Sequence, residues 1–261
     1  MSYSDLKGKT FIVTGAASGM GRTTCLALAK QGANVGLLDL RKPDDVLSEI
    51  EKLGGEAISL ACNVQDRYAV DEAVKAVVDR FGGLHGAANM AGYVGNQGFH
   101  GKDNALDIMD DAYWDSMLTT NLNGVKNCLR AQFNHIKEGG SIVNAASIAG
   151  QMGVAYNSCY AASKWGVIGL SKSAAQEGGA RGIRVNAVAP EDGSGVVDTP
   201  LVDSLGSEKE VYDFLLSKTA LKRIAQPEEV SKVIMFLFSE EAGYVTGNVG
   251  RILNNVRQWC C

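Results

Sequence analysis

Thr10-Phe11-Ile12-Val13-Thr14-Gly15-Ala16-Ala17-Ser18-Gly19-Met20-Gly21 is the stretch that decides the fold. Its first five residues are β-prone and mostly apolar, which predicts a strand covered on both faces. Gly15, Gly19 and Gly21 then predict a tight turn, and Leu26-Ala27-Leu28-Ala29 continues as a helix. A turn of this kind suits a pyrophosphate. Glycines admit close backbone approach, and the helix N-terminus offers unpaired N–H groups and a partial positive charge. The spacing is Gly-x-x-x-Gly-x-Gly rather than Gly-x-Gly-x-x-Gly, so the motif alone is a weak signal beside a plain structural turn.

Outward from this stretch, short apolar runs alternate with helical periods. Strands are expected over 35–39, 57–60, 86–89, 141–145 and 184–188, with a last one over 249–253. Helices are expected over 46–53, 69–81, 111–136 and 159–176. The runs are continuous rather than alternating, which means parallel strands packed between two helical layers. The expected fold is α/β: one doubly wound, Rossmann-like parallel sheet of about seven strands, forming a single domain over 1–261. Ligands should then lie beyond the C-terminal strand ends.

Composition agrees. Hydrophobic residues make up 46% of the 261, with only 4 prolines, which excludes a disordered or collagen-like chain. A formal charge of -4 and the lack of a basic run exclude nucleic acid as an expected partner. No apolar run reaches the ~18 residues that span a membrane. The six cysteines (25, 62, 128, 159, 260 and 261) have no metal-ligand spacing, so no metal site is expected. Cys25 and Cys128 read as small core residues. A reducing, cytoplasmic setting follows.

Asp39 ends the second strand, where an adenosine ribose would lie. A carboxylate there accepts from both ribose hydroxyls and repels a 2′-phosphate, whereas a solvated strand-end acid is the plain reading. Arg41 is a complication, because a nearby arginine tolerates the phosphate of NADP. NAD(H) is favoured over NADP(H). Tyr160 and Lys164 stand four apart, on one helix face and one turn from each other. An ammonium held there favours the phenolate over a phenol whose ordinary pKa is about 10, making a proton donor and acceptor near neutral pH.

With these residues in place the chain resembles the short-chain dehydrogenases/reductases over about 7–248. The matching residues are Thr14 to Gly21, Asn89-Met90-Ala91-Gly92, Asn121, Ser147 and Tyr160-Ala161-Ala162-Ser163-Lys164. The resemblance implies that Tyr160 passes a proton to or from the substrate oxygen while Ser147 stabilises the charge on it. Lys164 would hold the nicotinamide ribose, and Asn121 would bind a water linking Lys164 to solvent. Gly15, Ser18, Gly19, Met20 and Gly21 would hold the cofactor phosphates. Asn63 and Val64 would flank the adenine, where the family usually has Asp-Val. Asn89, Ala91 and Gly92 would support the central strand and the adenosine side. Pro190, Val197 and Thr199 would meet the nicotinamide. The family also implies a homotetramer or homodimer built on the helices over 111–136 and 159–176.

Two departures stand out. Glu191-Asp192-Gly193-Ser194 separates Pro190 from Gly195, like a four-residue insertion beside the nicotinamide. The Asp-Gly-Gly usual after Asn248 is missing, and the chain ends Arg257-Gln258-Trp259-Cys260-Cys261. The implied function is interconversion of a secondary alcohol and a ketone by an NAD(P)(H)-dependent enzyme. The alternative is a non-redox cyclase or isomerase, or a cofactor-binding protein, on the same fold. Tyr93, Val94, Ile148, Met152, Val154 and the stretch over 201–218 are expected to form a mostly apolar pocket wall. That suits a hydrophobic alcohol or ketone, such as a polycyclic product of secondary metabolism.

Overall fold

The computed structural model describes residues 3–94, 104–190, 221, 223 and 225–252. Seven strands form one sheet: β1 (Thr10–Thr14), β2 (Asn34–Asp39), β3 (Ala57–Ala61), β4 (Leu84–Asn89), β5 (Ile136–Ala145), β6 (Arg184–Pro190) and β7 (Val249–Ile252). Their order is β3-β2-β1-β4-β5-β6-β7, and every neighbouring pair is parallel. The chain runs outward from β1 to β3 and then returns to lay β4 against the other side of β1. That reversal opens a crevice at the C-terminal ends of β1 and β4, where such sheets take their ligands.

The described helices are α1 (Gly19–Lys30), α2 (Asp44–Lys52), α3 (Arg67–Phe81), α4 (Asp111–Leu118), α5 (Gly124–His135), α6 (Ser158–Gly178) and α7 (Pro227–Phe238). Two apolar layers result, one on each face of the sheet. Phe11, Val13, Val35 and Leu37 face Cys25, Leu28, Val230 and Ile234 of α1 and α7. Ile12, Leu38, Ala87 and Ile142 face Val74, Val77, Leu129 and Val167 of α3, α5 and α6. Successive strand residues point to opposite faces, so a buried strand must be apolar on both. Cys25, Cys62, Cys128 and Cys159 are buried free thiols, and burial raises the pKa of each.

Local signals set the helix ends. Asp66 caps α3 by accepting from the Tyr68 and Ala69 amides, and Gly82 closes it at φ 79°. Pro227 opens α7 inside a capping box made by Gln226 and Glu229.

One expected helix is corrected. The stretch 111–136 is not continuous. It divides at a π-helical turn, Thr119–Asn123, where the Gly124 N–H reaches back five residues to the Thr119 carbonyl. Ile136 leaves the helix with ψ 134° and begins β5, whose register against β4 then shifts between Leu84 and Gly86. Gly140 allows this: a Cβ there would meet the Ile136 side chain at 2.6 Å.

Candidate active site at the C-terminal strand ends

Several chain segments meet beyond the strands. The first is the turn after β1. Gly15 has φ 69°, and a Cβ on it would lie 2.9 Å from the Ala91 backbone nitrogen. A Cβ on Gly21 would lie 1.9 Å from the Gly15 carbonyl oxygen. Both positions therefore demand glycine, and the turn folds flat against the start of α1. Ser18 precedes α1 without a side-chain cap, and the first turn of the helix holds no acidic residue. The amide donors of this turn, with the helix dipole behind them, fit the pyrophosphate of a dinucleotide.

Asp39 ends β2 next to this turn. Its Oδ2 accepts from the Ala17 N–H at 3.0 Å, and its Oδ1 accepts from the Leu40 N–H at 2.7 Å. The carboxylate is thus fixed beside the glycine turn, at the sheet position expected for a ribose partner. Ala91, after β4, donates its N–H to the Thr14 Oγ1 at 3.2 Å, which ties the two central strand ends together.

Two of the expected ligand residues, Asn89 and Asn63, already have partners for their side chains within the protein. The Asn89 side chain is buried, and its amide is spent on Gln132 at 2.7 and 3.0 Å and on the Asn144 Oδ1 at 2.8 Å. Asn144 in turn donates to the Ser171 Oγ at 2.9 Å. Asn89 therefore ties α5 and α6 to the sheet through its side chain and does not offer that side chain to a ligand. Asn63 is exposed, and its Oδ1 already accepts from the Gln65 N–H at 3.0 Å, so an adenine amino group would share that acceptor. Val64 is held from behind, its carbonyl accepting from the Asn127 Nδ2 at 2.9 Å.

Ser147 stands at the exit of β5, and Tyr160 and Lys164 stand on α6. Ser147 follows β5, is buried, and its Oγ accepts from the Ala149 N–H at 3.0 Å. Tyr160 and Lys164 are both 5% exposed on α6, so water reaches neither freely. The Lys164 Nζ donates to the Ala145 carbonyl at 2.8 Å and stands 5.4 Å from the Tyr160 ring centroid. A buried ammonium needs such an acceptor, and the strand end supplies it. Ala145 and Ser163 are contributors that motif reading missed. The Ser163 Oγ donates to the Tyr160 carbonyl at 2.7 Å and lies 3.5 Å from the Asn121 Nδ2. Gly150 is another: its missing Cβ would lie 2.7 Å from the Lys164 carbonyl oxygen.

Asn121 sits in the π turn rather than in a regular helix. Its Nδ2 donates to the Tyr93 carbonyl at 2.8 Å and its Oδ1 accepts from the Tyr93 N–H at 3.0 Å. The side chain therefore clips the loop after β4. π turns often mark functional sites, and here the extra residue aims this amide inward. Gly92 leaves room, since a Cβ there would come within 3.0 Å of the Asn121 Oδ1 and 3.7 Å of the Lys164 Nζ.

Of the expected pocket wall, Val94 and Ile148 are fully buried and act as packing, while Tyr93, Met152 and Val154 keep exposed surface. Tyr160 packs in an apolar cluster with Val94, Met117, Ala149 and Cys159, flanked by Trp114. Burial pushes the Tyr113 phenol up to about 12, so it stays protonated beside this cluster and does not compete as an acid. Pro190 ends β6 beside Ile252 of β7. Val197, Thr199, Glu191 to Ser194, the stretch 201–218 and the tail from 253 lie outside the described residues.

The family described as enoyl-(acyl carrier protein) reductase matches residues 15–252. The 3-oxoacyl-[acyl-carrier-protein] reductase FabG of Thermotoga maritima is 39% identical over 248 residues, covering 94% of this chain and 96% of the relative. Short-chain dehydrogenase/reductase ABA4 of Pyricularia oryzae is 40% identical over 252 residues, covering 94% and 90%. Among solved structures, levodione reductase superposes with a TM-score of 0.87 at 31% identity, covering 95% of this chain and 97% of its own.

Proposed function

The chain belongs to the short-chain dehydrogenase/reductase family, whose oxidoreductases use NAD(P)(H), and from that premise we propose that it interconverts a secondary alcohol and a ketone on a mostly apolar small molecule. The observation that carries this reading is the buried Lys164 ammonium, anchored on the Ala145 carbonyl with the Tyr160 ring 5.4 Å away. When bound, the nicotinamide supplies or accepts the hydride. Tyr160 moves the proton at the substrate oxygen, because the neighbouring ammonium stabilises its phenolate in a site closed to water. The Ser147 hydroxyl has a lone pair taken up by the Ala149 amide, and its hydrogen donates to the same substrate oxygen. Lys164 would also hold the nicotinamide ribose. Gly15, Ser18, Gly19, Met20 and Gly21 would hold the phosphates.

Asp39 supports NAD(H) over NADP(H): a carboxylate locked beside the glycine turn repels a 2′-phosphate. The names of two relatives, 3-oxoacyl reductase and levodione reductase, both denote reduction of an oxo group, which supports ketone reduction. Cofactor binding and catalysis would share the one domain over 1–261. A homodimer or homotetramer is supported by the outer face of α5 and α6. There Trp165 is 53% exposed, and a groove of about 310 Å³ is lined by Leu129, Phe133, Leu170 and Ala174. Among the described residues no helix is long and apolar enough to cross a membrane, which fits the proposed cytoplasmic setting.

Tyr160→Phe tests the reading. Removing the phenolic oxygen should lower kcat by about 100-fold or more while cofactor affinity stays near wild type. A variant retaining above a tenth of wild-type kcat would show that Tyr160 is not the proton-transfer group.

A further inference from the structure

Asn89, Gln132, Asn144 and Ser171 are buried in the apolar layer between the sheet and the helices α5 and α6. Asn89 and Asn144 are register partners on β4 and β5. Each stands two residues after an apolar residue of that layer, Ala87 and Ile142, so both amides point to the helices. The four side chains join end to end. Gln132 of α5 and Asn89 exchange two hydrogen bonds, at 2.7 and 3.0 Å. The Asn89 Nδ2 also donates to the Asn144 Oδ1 at 2.8 Å, and the Asn144 Nδ2 donates to the Ser171 Oγ of α6 at 2.9 Å.

The direction of this relay is fixed at its α6 end. The single Ser171 hydroxyl hydrogen goes to the Val167 carbonyl at 2.7 Å, so the oxygen meets Asn144 as an acceptor. Asn144 must then present its amino group to Ser171 and its oxygen to Asn89. A buried polar network satisfied in one sense only holds its members in one arrangement, whereas apolar contacts are non-directional and tolerate a small slide. Asn144 also immediately precedes Ala145, whose carbonyl accepts from the Lys164 Nζ at 2.8 Å. Ser171 lies seven residues after Lys164, two turns along the same helix face. Consecutive residues of β5 therefore grip α6 at two points about 10 Å apart along its axis, one through Ser171 and one through Lys164. The packing between these points is apolar, through Val167 and Ile168.

We propose that Asn144 and Ser171 are positioning residues for Lys164: their hydrogen bond sets α6 along β5, and with it the seat of the Lys164 ammonium on the Ala145 carbonyl. The inference rests on the reading of Lys164 as the residue that holds the nicotinamide ribose. Without the bond, α6 is free to shift along the strand by the small distance that apolar packing tolerates. The ammonium would move with it and hold the ribose less well. The glycine turn and Asp39 belong to β1 and β2, across β4 from this contact, so the adenosine half of the cofactor would keep its partners.

The test is a binding measurement on the full chain. Dissociation constants are taken for NADH and for ADP, which carries adenosine and phosphates but no nicotinamide half. They are measured, with Tm, on the wild type, Ser171→Ala, Gln132→Met, Lys164→Ala and the double variant of Ser171→Ala with Lys164→Ala. Ser171→Ala and Gln132→Met should both melt lower, since each leaves a buried amide group unmet. Only Ser171→Ala should weaken NADH relative to ADP, by about fivefold, with ADP binding unchanged. Lys164→Ala should raise the same ratio at least as much, and adding Ser171→Ala to it should raise it no further, because the serine acts through the lysine. An unchanged ratio in Ser171→Ala overturns the proposal, and so does an equal rise in Gln132→Met, which would trace the effect to lost stability. A further rise in the double variant overturns it as well. If Ser171→Ala does not fold, the ratio on Ser171→Cys, whose sulfur is a weak acceptor, decides by the same criterion. If Lys164→Ala leaves the ratio at its wild-type value, the ribose-holding reading of Lys164 has failed, and the inference is overturned with it.

Discussion

Replacing Gly150 by alanine should push apart the two halves of the catalytic set. Ser147 caps the short 3-10 turn Ile148–Gly150, and Tyr160 and Lys164 lie on α6, against which that turn packs. A Cβ on Gly150 would stand 2.7 Å from the Lys164 carbonyl oxygen, 2.8 Å from its carbon and 2.9 Å from the Ile168 Cδ1. Comfortable separation of such atoms is about 3.5 Å, so the turn and the helix must part by roughly half an ångström or more. The isoleucine tip can rotate away, but the backbone carbonyl cannot. Overpacking of this kind costs about 1–3 kcal/mol, against which the lost backbone freedom of glycine returns at most about 1 kcal/mol. The larger effect should be on rate. A 1 Å misplacement of reacting groups costs about 100-fold, so half that distance should lower kcat by about tenfold. Steady-state kinetics, cofactor titration and thermal melting on the same preparation separate these effects. Gly153→Ala is the control, since a Cβ there meets nothing within 4 Å. Wild-type kcat and Tm in Gly150→Ala would refute the argument that this close approach sets the Ser147 to Tyr160 geometry.

Other outcomes follow from single contacts. Asp39→Ser should narrow the preference for NAD(H) over NADP(H) by removing the charge beside the glycine turn; equal kcat/KM for both cofactors in the wild type would show that Asp39 does not decide it. The His85 Nδ1 accepts from the Thr10 N–H at 3.0 Å, and desolvation first, then the Lys137 and Lys9 charges, lower its pKa. A lowered folded pKa means the unfolded chain binds the extra proton first. Stability should therefore be full above about pH 6.5 and fall as pH drops through that value toward the lower folded pKa. Urea titrations at pH 7.5 and 5.5 should show this difference shrinking in His85→Leu, and an unchanged difference would exclude His85 as its source. Phe133→Glu should weaken self-association at the groove between α5 and α6, and light scattering at micromolar concentration would show a smaller species. A wild type that scatters as a 27.6 kDa particle would remove the basis for that expectation.

Much of the fold was legible because the central strands carry short continuous apolar runs, such as Thr10–Thr14 and Arg184–Pro190, separated by helical periods. Parallel strands buried on both faces leave that trace in the chain itself. The Tyr160 and Lys164 pair was legible for a similar reason, since one helical turn is a local relation. The division of 111–136 was not. A π turn shifts one backbone hydrogen bond, and Thr119-Thr120-Asn121-Leu122-Asn123 carries no residue type that announces it. Nor did the sequence show that the Asn89 amide is spent on Gln132 and Asn144, because those partners lie 43 and 55 residues away.

By itself, the sequence determined the fold class, the glycine turn and the Tyr160 and Lys164 pair, which rest on neighbours within a few residues, while Ser147 and Asn121 came from the resemblance. The tertiary structure decided what each candidate touches. Ala145 is 19 residues from Lys164 and Tyr93 is 28 from Asn121, yet these contacts hold the ammonium and clip the loop. They exist because parallel strands bring their C-terminal ends to one edge, so residues remote in the chain converge there. Side-chain partners across that edge depend on register, helix packing and the space left by Gly92 and Gly150, none of which any single stretch of sequence contains.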